Sequence, residues 1–569
     1  MLTRSTRTQF HSLLDAVTLT SPDDSRQAII YLETDQPPIT VTRADFRREA
    51  LRYADALAKI GIQPRDLVII AHTQNLESIY AFWGALLVGA IPSMFPTLTE
   101  KLDPDIYMRG MAELVTLSDV RAVLTTDDFA PTLAANVGCP VYGSSQLKES
   151  LSGEGLSVTN PYDASGRADS EVAFLQHSSG TTGLQKGVAL SHEAVLNQLA
   201  NYSDSIALNE QDVIVSWLPL YHDMGLIAGF LLPLIQGVPL VLLSPFDWVA
   251  HPAQLFRAID AYHGTVCWLP NFAYNHCAHR IRQRDTEGLS AASMRLFINC
   301  SEPVHAESHR LFAERFAAQG VTPEMLTVSY AMAENTFAVT QTPPGEVPHV
   351  DIVDRAEVEN SRHALPIPAD HPRAVTKVSC GKPIDGTSIR VLDPEGKVLP
   401  DRQVGELAVK SDCMLTDYYK RPDLQPFKDG WYLTGDMGYI AEGEVFVIGR
   451  YKDLIINAGK NVYPQDIEAI ANKVSGVHAG RVVAFGVPDE REGTELIAVV
   501  AEVGTNDAAE RQQIAQVIRQ TVARQSTVTL NYVHLVNDRW LIKTSSGKIA
   551  RAANRDKWLA ERAERDGQT

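Results

Sequence analysis

The chain has 569 residues, and a prior of about 150 residues per domain suggests roughly four structural units. Its composition, 45% hydrophobic and 21% charged, is that of a globular protein and excludes a disordered or fibrous chain. The 51 basic and 69 acidic residues give a net charge of −18. This charge argues against a protein whose whole surface binds nucleic acid or an anionic membrane. It does not argue against a local basic patch.

The cysteine pattern and the N-terminal residues indicate the cellular compartment of the protein. The six cysteines are scattered without a C-x-x-C pair, which fits neither a zinc site nor a disulfide framework. Residues 1–17 carry charged and polar side chains throughout, unlike a signal peptide. The uncharged stretch 225–246 is interrupted by Pro233 and Pro239, so we interpret it as buried core. We expect a cytoplasmic protein without a transmembrane segment.

The first 300 residues predict alternating helices and strands. Thr42 and Asp45 form a candidate capping box for a helix that Gly61 ends. Residues 66–71 follow as a buried parallel strand. The same alternation continues past residue 300, which is typical of a layered α/β architecture.

The later part of the chain changes character twice. Six prolines lie among polar residues in the segment 343–372, which predicts a loop. Residues 387–392 and 404–409 then predict short strands, and helical patterns return after residue 450. We expect a large N-terminal domain of layered α/β subdomains with a β-rich subdomain (1–450), followed by a smaller, mobile α+β domain (451–569).

Residues 177–187, His-Ser-Ser-Gly-Thr-Thr-Gly-Leu-Gln-Lys-Gly, carry the clearest chemical signal. Four hydroxyl side chains and three glycines place many hydrogen-bond donors on a backbone that can approach an anion closely, and Lys186 adds a positive charge. The spacing is not that of a Walker loop. The segment lies between two apolar runs and predicts a polyphosphate-binding loop.

This loop resembles the signature loop of the adenylate-forming superfamily, whose members activate carboxylates with ATP. Further motifs of that superfamily follow in its own order along nearly the whole chain, at 217–225, 330–334, 432–436, 449–450 and 544–548. Six motifs in one order make the resemblance specific. It implies an enzyme that uses ATP and Mg²⁺ and whose small domain closes on the large one.

Within that superfamily the chain most resembles the fatty acyl-AMP ligases. The passages that carry this resemblance are 218–227, 270–274, 299–303 and 463–468, and the proline-rich segment falls where that subfamily has an insertion. The resemblance implies activation of a medium- or long-chain fatty acid to acyl-AMP with release of pyrophosphate. It also implies transfer of the acyl group to the phosphopantetheine thiol of an acyl carrier protein, which we expect to act in trans.

The resemblance assigns the nucleotide site residue by residue. The expected phosphate contacts are Ser178, Ser179, Gly180, Thr181, Thr182, Gly183 and Lys186. Glu334 matches the Mg²⁺ ligand, and Asp436 and Arg450 match the contacts to ribose. The residues along the two faces of adenine are Tyr330 on one side and Ser301, Glu302 and Pro303 on the other.

The remaining assignments concern the acyl group and the second domain. Lys548 matches the lysine that contacts both the carboxylate and the α-phosphate, and His222 is expected to position the carboxylate. Lys452 matches the hinge between the domains. The expected lining of the acyl pocket includes Gly225, Phe272 and Tyr274.

Several alternatives stay open at this point. A fatty acyl-CoA synthetase would differ only in the thiol that accepts the acyl group. An amino-acid or aryl-acid adenylating enzyme is disfavoured because the apolar stretch after residue 225 lacks an aspartate. A catalytically silent lipid- or adenylate-binding module is disfavoured because Glu334, Asp436, Arg450 and Lys548 are all retained.

The negative net charge would repel an acidic carrier protein at long range. We therefore expect docking through a local basic patch, for which the candidates are Arg551, Arg555, Lys557 and Arg562. A solvated helix face is the simpler interpretation of the same residues.

Overall fold

A computed structural model describes residues 1–566 except residues 4, 7–9, 99–103, 151–170, 178–185, 458–459, 490–493, 527 and 545–546. Over these ranges the chain forms stacked α/β layers, then a β-rich part and a smaller α+β part. The predicted fold class is confirmed.

The N-terminal elements, in the described part of residues 1–150, are α1 (Asp15–Thr18), β1 (Gln27–Leu32), β2 (Ile39–Thr42), α2 (Arg43–Lys59), β3 (Leu67–Ala71), α3 (Leu76–Leu87), β4 (Ile91–Met94), α4 (Pro104–Ser118), β5 (Val120–Thr125), α5 (Ala130–Ala134), β6 (Val141–Gly143) and α6 (Ser144–Ser150). Strands β4-β3-β5-β6 form a parallel sheet in this order. Helix α2 begins at the capping box of Thr42 and Asp45 and ends before Gly61, whose φ is 88°. The predicted helix and the following strand are confirmed.

The next elements build the central sheet: β7 (Val172–His177), β8 (Gly187–Ser191), α7 (His192–Ser205), β9 (Ile214–Ser216), a π-helix (Met224–Leu231), α8 (Leu232–Gln236), β10 (Leu240–Leu243), α9 (Pro245–Ala250), α10 (Ala253–Tyr262), β11 (Val266–Leu269), α11 (Asn271–Arg280), β12 (Leu296–Asn299), α12 (Ala306–Phe316), β13 (Leu326–Ala331) and β14 (Ala338–Gln341). Strands β13, β12, β11, β9, β10 and β1 lie side by side in parallel, and antiparallel strands flank them. Their near-continuous burial is typical of a sheet covered on both faces.

The β-rich part contains β15 (Val350–Asp354), α13 (Arg355–Ser361), β16 (Ala374–Val378), β17 (Lys382–Pro383), β18 (Thr387–Leu392), β19 (Gly405–Ser411), β20 (Asp417–Tyr418), β21 (Phe427–Lys428), β22 (Trp431–Ala441) and β23 (Glu444–Arg450). Strands β18, β19, β22, β21 and β23 form an antiparallel sheet, as expected for 387–409. The expectation of a loop throughout 343–372 is wrong, because β15 pairs with β16 and α13 follows it. The prolines flank this strand and helix, so they do not interrupt either.

The C-terminal part consists of β24 (Ile455–Asn457), β25 (Lys460–Val462), α14 (Pro464–Ala471), β26 (Val477–Asp489), β27 (Thr494–Val503), α15 (Ala508–Gln525), β28 (Tyr532–Val536) and α16 (Arg551–Asp566). Strands β26, β27 and β28 form its sheet, with a separate hydrophobic cluster on each face. Helix α14 begins at Pro464, a residue whose fixed φ suits the first position of a helix. The boundary near residue 451 stays a prediction.

Several contacts join the C-terminal part to the β-rich part, and two of them lie at the start of α14. Tyr463 is buried in a hydrophobic cluster with Tyr439 and Phe446. The ammonium group of Lys377 lies 3.2 Å from the carboxylate of Asp466. These contacts hold α14 against the antiparallel sheet, next to the chain segment that connects the two parts.

The uncharged stretch after Gly225 is buried, as predicted. It forms the π-helix, then α8 and β10, with Gly237 in the left-handed conformation at the end of α8 (φ 80°). No helix within the described ranges is long and apolar enough to cross a membrane. Gly225 is required by packing, because a Cβ atom there would lie 2.1 Å from the carbonyl oxygen of Pro219.

Replacing Gly225 with alanine is therefore expected to cost about 1–3 kcal/mol of stability, since the added methyl group overpacks a backbone contact. Thermal unfolding should show a lower apparent Tm than that of the wild type. Gly110→Ala is the matched control, because Gly110 lies in α4 and a Cβ atom there meets nothing within 4 Å. Equal Tm values for the two variants would contradict this packing constraint.

Candidate active site

The predicted motifs converge at one edge of the central sheet. The parallel strands β9, β11, β12 and β13 lead at their carboxyl ends into segments 217–223, 270–274, 300–303 and 332–334. The carboxyl ends of parallel strands meet at the same edge, which is where open α/β sheets bind ligands. The fold therefore gathers four distant stretches of sequence into one place.

The expected adenine and ribose residues form one hydrogen-bonded group. The hydroxyl of Tyr330 donates to Asp436 Oδ2 at 2.6 Å, and Arg450 Nε lies 3.1 Å from Asp436 Oδ1. Asp436 and Arg450 are opposite each other in β22 and β23, so the sheet register sets their pairing. Burial, and then the Asp436 charge, raise the pKa of Tyr330, which keeps its hydroxyl a donor.

Glu334 lies on a short 3₁₀ turn after β13 and is held by tyrosines. The hydroxyl of Tyr418 donates to Glu334 Oε1 at 3.0 Å, and the hydroxyl of Tyr432 lies 3.0 Å from that of Tyr418. Magnesium in phosphate-transfer sites usually takes one or two protein carboxylates beside water and phosphate oxygens. Glu334, a half-buried carboxylate in a fixed position, fits that requirement.

The two ends of the predicted phosphate loop are described, and Ser178, Ser179, Gly180, Thr181, Thr182 and Gly183 lie outside the described residues. His177 at the end of β7 pairs with Gly187 at the start of β8, so antiparallel strands carry both ends of the loop. The ammonium group of Lys186 lies 4.9 Å from the centre of the Tyr418 ring. His177 is buried, which lowers its pKa to about 4, and it bonds to Ser93 at 2.7 Å.

His222 and Asp223 are half-buried at the end of the 217–223 segment. Burial, and then the positive charge of Lys548, lower the pKa of His222 to about 3. Burial raises the pKa of Asp223, which the charge of Lys548 opposes. The charge of the exposed Lys548 in the C-terminal part thus acts on both residues, and closure of the two domains stays a prediction. His222 Nε2 is buried without a hydrogen-bond partner among the described residues.

The expected loop beside adenine follows β12. Ser301 has a φ of 73°, which turns the chain sharply at the sheet edge. Glu302 Oε2 accepts a hydrogen bond from the amide of Phe272 at 2.8 Å, and Pro303 is exposed. Burial raises the pKa of Glu302, whereas the Phe272 amide and the lysine charges of the C-terminal part lower it.

The three expected acyl-pocket residues lie in different surroundings. Gly225 is buried in the first turn of the π-helix. Phe272 is exposed by 41% and its ring lies 6.2 Å from that of Trp217. Tyr274 is fully buried, with its ring 5.0 Å from that of Phe312, so it belongs to the hydrophobic core.

A small cavity of about 20 Å³, with room for about one water molecule, lies next to this segment and was not expected from the sequence. Its lining comes from the N-terminal sheet and from the chain just before His222, and includes Ile70, Met94, Phe95, Leu220, Tyr221 and Phe246. These residues share no local pattern. Only the packing of the two sheets brings them together.

The predicted hinge residue Lys452 lies in a 3₁₀ turn, Tyr451–Asp453, directly after β23. The adjacent Asp453 accepts a hydrogen bond from Arg551 at 2.6 Å, and Arg551 also contacts Glu468 at 2.7 Å. The turn is thus tied to α14 and α16. Sequence reasoning gave no role to Tyr418 and considered Arg551 only for docking, whereas both side chains contact distant parts of the chain.

Comparison with known proteins agrees with this geometry. The AMP-binding enzyme family matches residues 20–419. The fold and the site define an adenylate-forming enzyme, and the chain belongs to the AMP-binding enzyme family.

Two relatives in sequence and one solved structure are similar to this chain over most of its length. The long-chain-fatty-acid–AMP ligase FadD26 of Mycobacterium marinum is 31% identical over 92% of this chain and 93% of its own. The medium-chain-fatty-acid–[acyl-carrier-protein] ligase JamA of Moorena producens is 29% identical over 97% and 95%. A solved structure from work on fatty acyl-adenylate ligases of E. coli and L. pneumophila superposes with a TM-score of 0.90 at 26% identity, over 98% and 99%.

The buried, neutral state of His222 predicts acid sensitivity. Its folded pKa of about 3 lies below the unfolded value of about 6.5, so the unfolded state binds more protons below pH 6.5. Stability is therefore lost as the pH falls from 6.5 toward 3, by about 2 kcal/mol at pH 5 from this residue.

We expect His222→Asn to flatten the fall of the apparent Tm between about pH 7 and pH 5. His279→Asn is the control, because His279 is exposed at the end of α11. If the two variants lose Tm with the same slope as the wild type, His222 is not the buried neutral group described above.

Proposed function

We propose that this protein activates a fatty acid with ATP to an acyl-adenylate, releases pyrophosphate, and transfers the acyl group to the phosphopantetheine thiol of an acyl carrier protein. The observation that carries this proposal is the convergence of three groups at one sheet edge. Tyr330 and Arg450 both contact Asp436, Tyr418 donates a hydrogen bond to Glu334, and the charge of Lys548 acts on Asp223 at the end of the 217–223 segment.

The first step joins two anions. An oxygen of the fatty carboxylate attacks the α-phosphorus, and the bond from that phosphorus to the bridging oxygen of pyrophosphate breaks. Positioning and charge neutralisation supply most of the acceleration in such a displacement. Lys548 is suited to lie between the carboxylate and the α-phosphate, and Lys186 to contact the outer phosphates. Asp436 and Arg450 would hold the ribose.

Glu334 is the residue that would hold Mg²⁺. When bound, the ion neutralises charge on the phosphate oxygens and acts as a Lewis acid. The rest of the work falls to the protein. His222 would position the carboxylate as a neutral hydrogen-bonding group, because its pKa of about 3 prevents it from carrying charge near neutral pH.

We place the acyl chain along the small cavity beside Tyr221, since that cavity adjoins the segment that ends at His222. The cavity would have to widen to admit the chain, because its volume here is about 20 Å³. The lining side chains Met94, Phe95 and Leu220 are apolar. Each buried methylene contributes about 0.8 kcal/mol, so the depth of the cavity would set the preferred chain length. The expected lining by Phe272 and Tyr274 is the competing arrangement.

A carrier protein is favoured as the acceptor over coenzyme A because JamA, similar over nearly the full length of both chains, is named as an acyl-carrier-protein ligase. For the second step we place the hinge at Lys452, in the turn between β23 and β24. A few backbone angles there would let the small domain turn and expose the adenylate to the thiol.

Lys548→Ala tests the proposed function. We expect fatty-acid-dependent pyrophosphate exchange to fall by at least about 10²-fold, because the charge that meets both anions is gone. Acylation of a holo carrier protein from supplied acyl-AMP should be spared. Lys473→Ala is the control, because Lys473 is an exposed lysine of the same domain.

Three outcomes would each contradict a part of the proposal. Wild-type protein without pyrophosphate exchange for any fatty acid would remove the enzymatic activity itself. Equal loss of both half-reactions in Lys548→Ala would remove the role of this lysine. Faster thioester formation with coenzyme A than with a holo carrier protein would reassign the acceptor.

Chain-length selectivity separates the two acyl arrangements. Met94→Trp is expected to lower kcat/KM about fourfold for each methylene that no longer fits, while the shortest acids react normally. Phe272→Ala should leave the chain-length profile unchanged. If Phe272→Ala shifts the profile and Met94→Trp does not, the acyl chain lies along α11 instead.

A further inference from the structure

Tyr418 occupies a position between two predicted ligand-binding groups that come from different parts of the chain. Its hydroxyl donates to Glu334 Oε1 at 3.0 Å, and its ring lies under the ammonium group of Lys186 at 4.9 Å. The side chain itself is 6% exposed. One buried aromatic residue thus contacts both the predicted metal ligand and the lysine at the end of the phosphate loop.

The backbone around Tyr418 is fastened to the same two regions. On the loop side, β20 pairs with β8, and the amide of Tyr419 donates to the carbonyl oxygen of Gly187 at 2.8 Å. On the other side, the amide of Leu415 donates to the carbonyl oxygen of Glu334 at 2.8 Å. Segment 413–419 therefore clamps the strand that follows the phosphate loop to the turn that carries Glu334.

A further tyrosine fixes the rotation of the Tyr418 hydroxyl. Because that hydroxyl gives its proton to Glu334, the Tyr432 hydroxyl at 3.0 Å donates to the Tyr418 oxygen. Tyr432 lies in β22, four positions before Asp436. The carboxylate of Glu334 is thereby connected to the strand that carries the ribose-binding aspartate.

We propose that Tyr418 is a positioning residue that sets the Glu334 carboxylate and the Lys186 ammonium group relative to each other, through its hydroxyl and its ring respectively. The proposal rests on the proposed function, since it assumes that these groups receive the metal ion and the phosphates of ATP. Outer hydrogen-bond partners orient carboxylates at metal sites, and an aromatic face restricts a flexible lysine. The hydroxyl and the ring of Tyr418 can be removed separately by substitution.

The experiment uses the full-length protein, Mn²⁺ as a paramagnetic probe and the non-cleavable α,β-methylene analogue of ATP, without fatty acid. Tyr418→Phe keeps the ring and loses the hydroxyl. We expect the Kd of Mn²⁺ in the ternary complex to rise about tenfold, because a hydrogen bond to a charged group is lost. The Kd of the metal-free analogue should change less than about twofold, because the ring under Lys186 remains.

Tyr418→Leu removes both contacts. It should weaken Mn²⁺ to the same extent as Tyr418→Phe and also weaken the metal-free analogue by about threefold to fivefold. Combining Tyr418→Phe with Glu334→Gln should weaken Mn²⁺ no further than Glu334→Gln alone, because the hydroxyl acts through that carboxylate. Tyr419→Phe is the matched control and should change neither constant.

The proposal is overturned if Tyr418→Phe leaves the Mn²⁺ affinity within twofold of the wild type. It is also overturned if Tyr418→Phe changes both constants together with a fall in Tm, which would make the role purely structural. The affinities for Mn²⁺ and for the ATP analogue are measured without fatty acid. A wild type that binds both probes but shows no pyrophosphate exchange therefore contradicts the proposed function alone. A wild type that binds neither probe contradicts both.

Discussion

Strands β11, β12 and β13 lie side by side in parallel. Asn299 of the middle strand, β12, pairs with Leu269 of β11 and with Val328 of β13. A one-residue slip of this register would send every following side chain to the other face of the sheet. The buried side-chain amide of Asn299, at the end of β12, donates to Asn271 Oδ1 of α11 at 3.1 Å and lies 2.9 Å from His309 Nε2 of α12, so it joins both helices to this strand. Phe272, Ser301 and Glu302 lie within three residues of this polar network, so their positions depend on it.

The charges of the site come from separate structural units. Asp436 and Arg450 belong to the β-rich sheet, Lys186 to the hairpin of β7 and β8, and Lys548 to the C-terminal part. Burial raises the pKa of Asp223 and of Glu302, and in both cases the Lys548 charge opposes the shift. Because Lys548 belongs to the C-terminal part, the protonation of these two carboxylates depends on where that part lies.

Structural features that depend on neighbouring residues can be predicted from the sequence more readily than features that depend on long-range contacts. The capping box at Thr42 and the strand at 387–392 were predictable because their determinants lie within a few residues. The strand and helix inside 343–372 were not, since β15 finds its partner about 20 residues away and proline content reports only local conformation. The resemblance of whole motifs assigned the expected site residues, but it did not single out Tyr418, because the contact of Tyr418 with Glu334 spans 84 positions.

In the folded protein, several basic residues of α16 already make contacts within the C-terminal part. Arg551 is 13% exposed and paired with Asp453 and Glu468, so its charge is used inside the domain and not for docking. Lys557 lies 4.3 Å from the centre of the Trp540 ring, and Arg562 lies 4.5 Å from that of Tyr532. Ring contacts restrict these side chains without neutralising them. A basic surface on α16 therefore consists of fewer charges than the sequence suggests, but the charges that remain are held in place, which lowers the entropy lost on meeting an acidic partner.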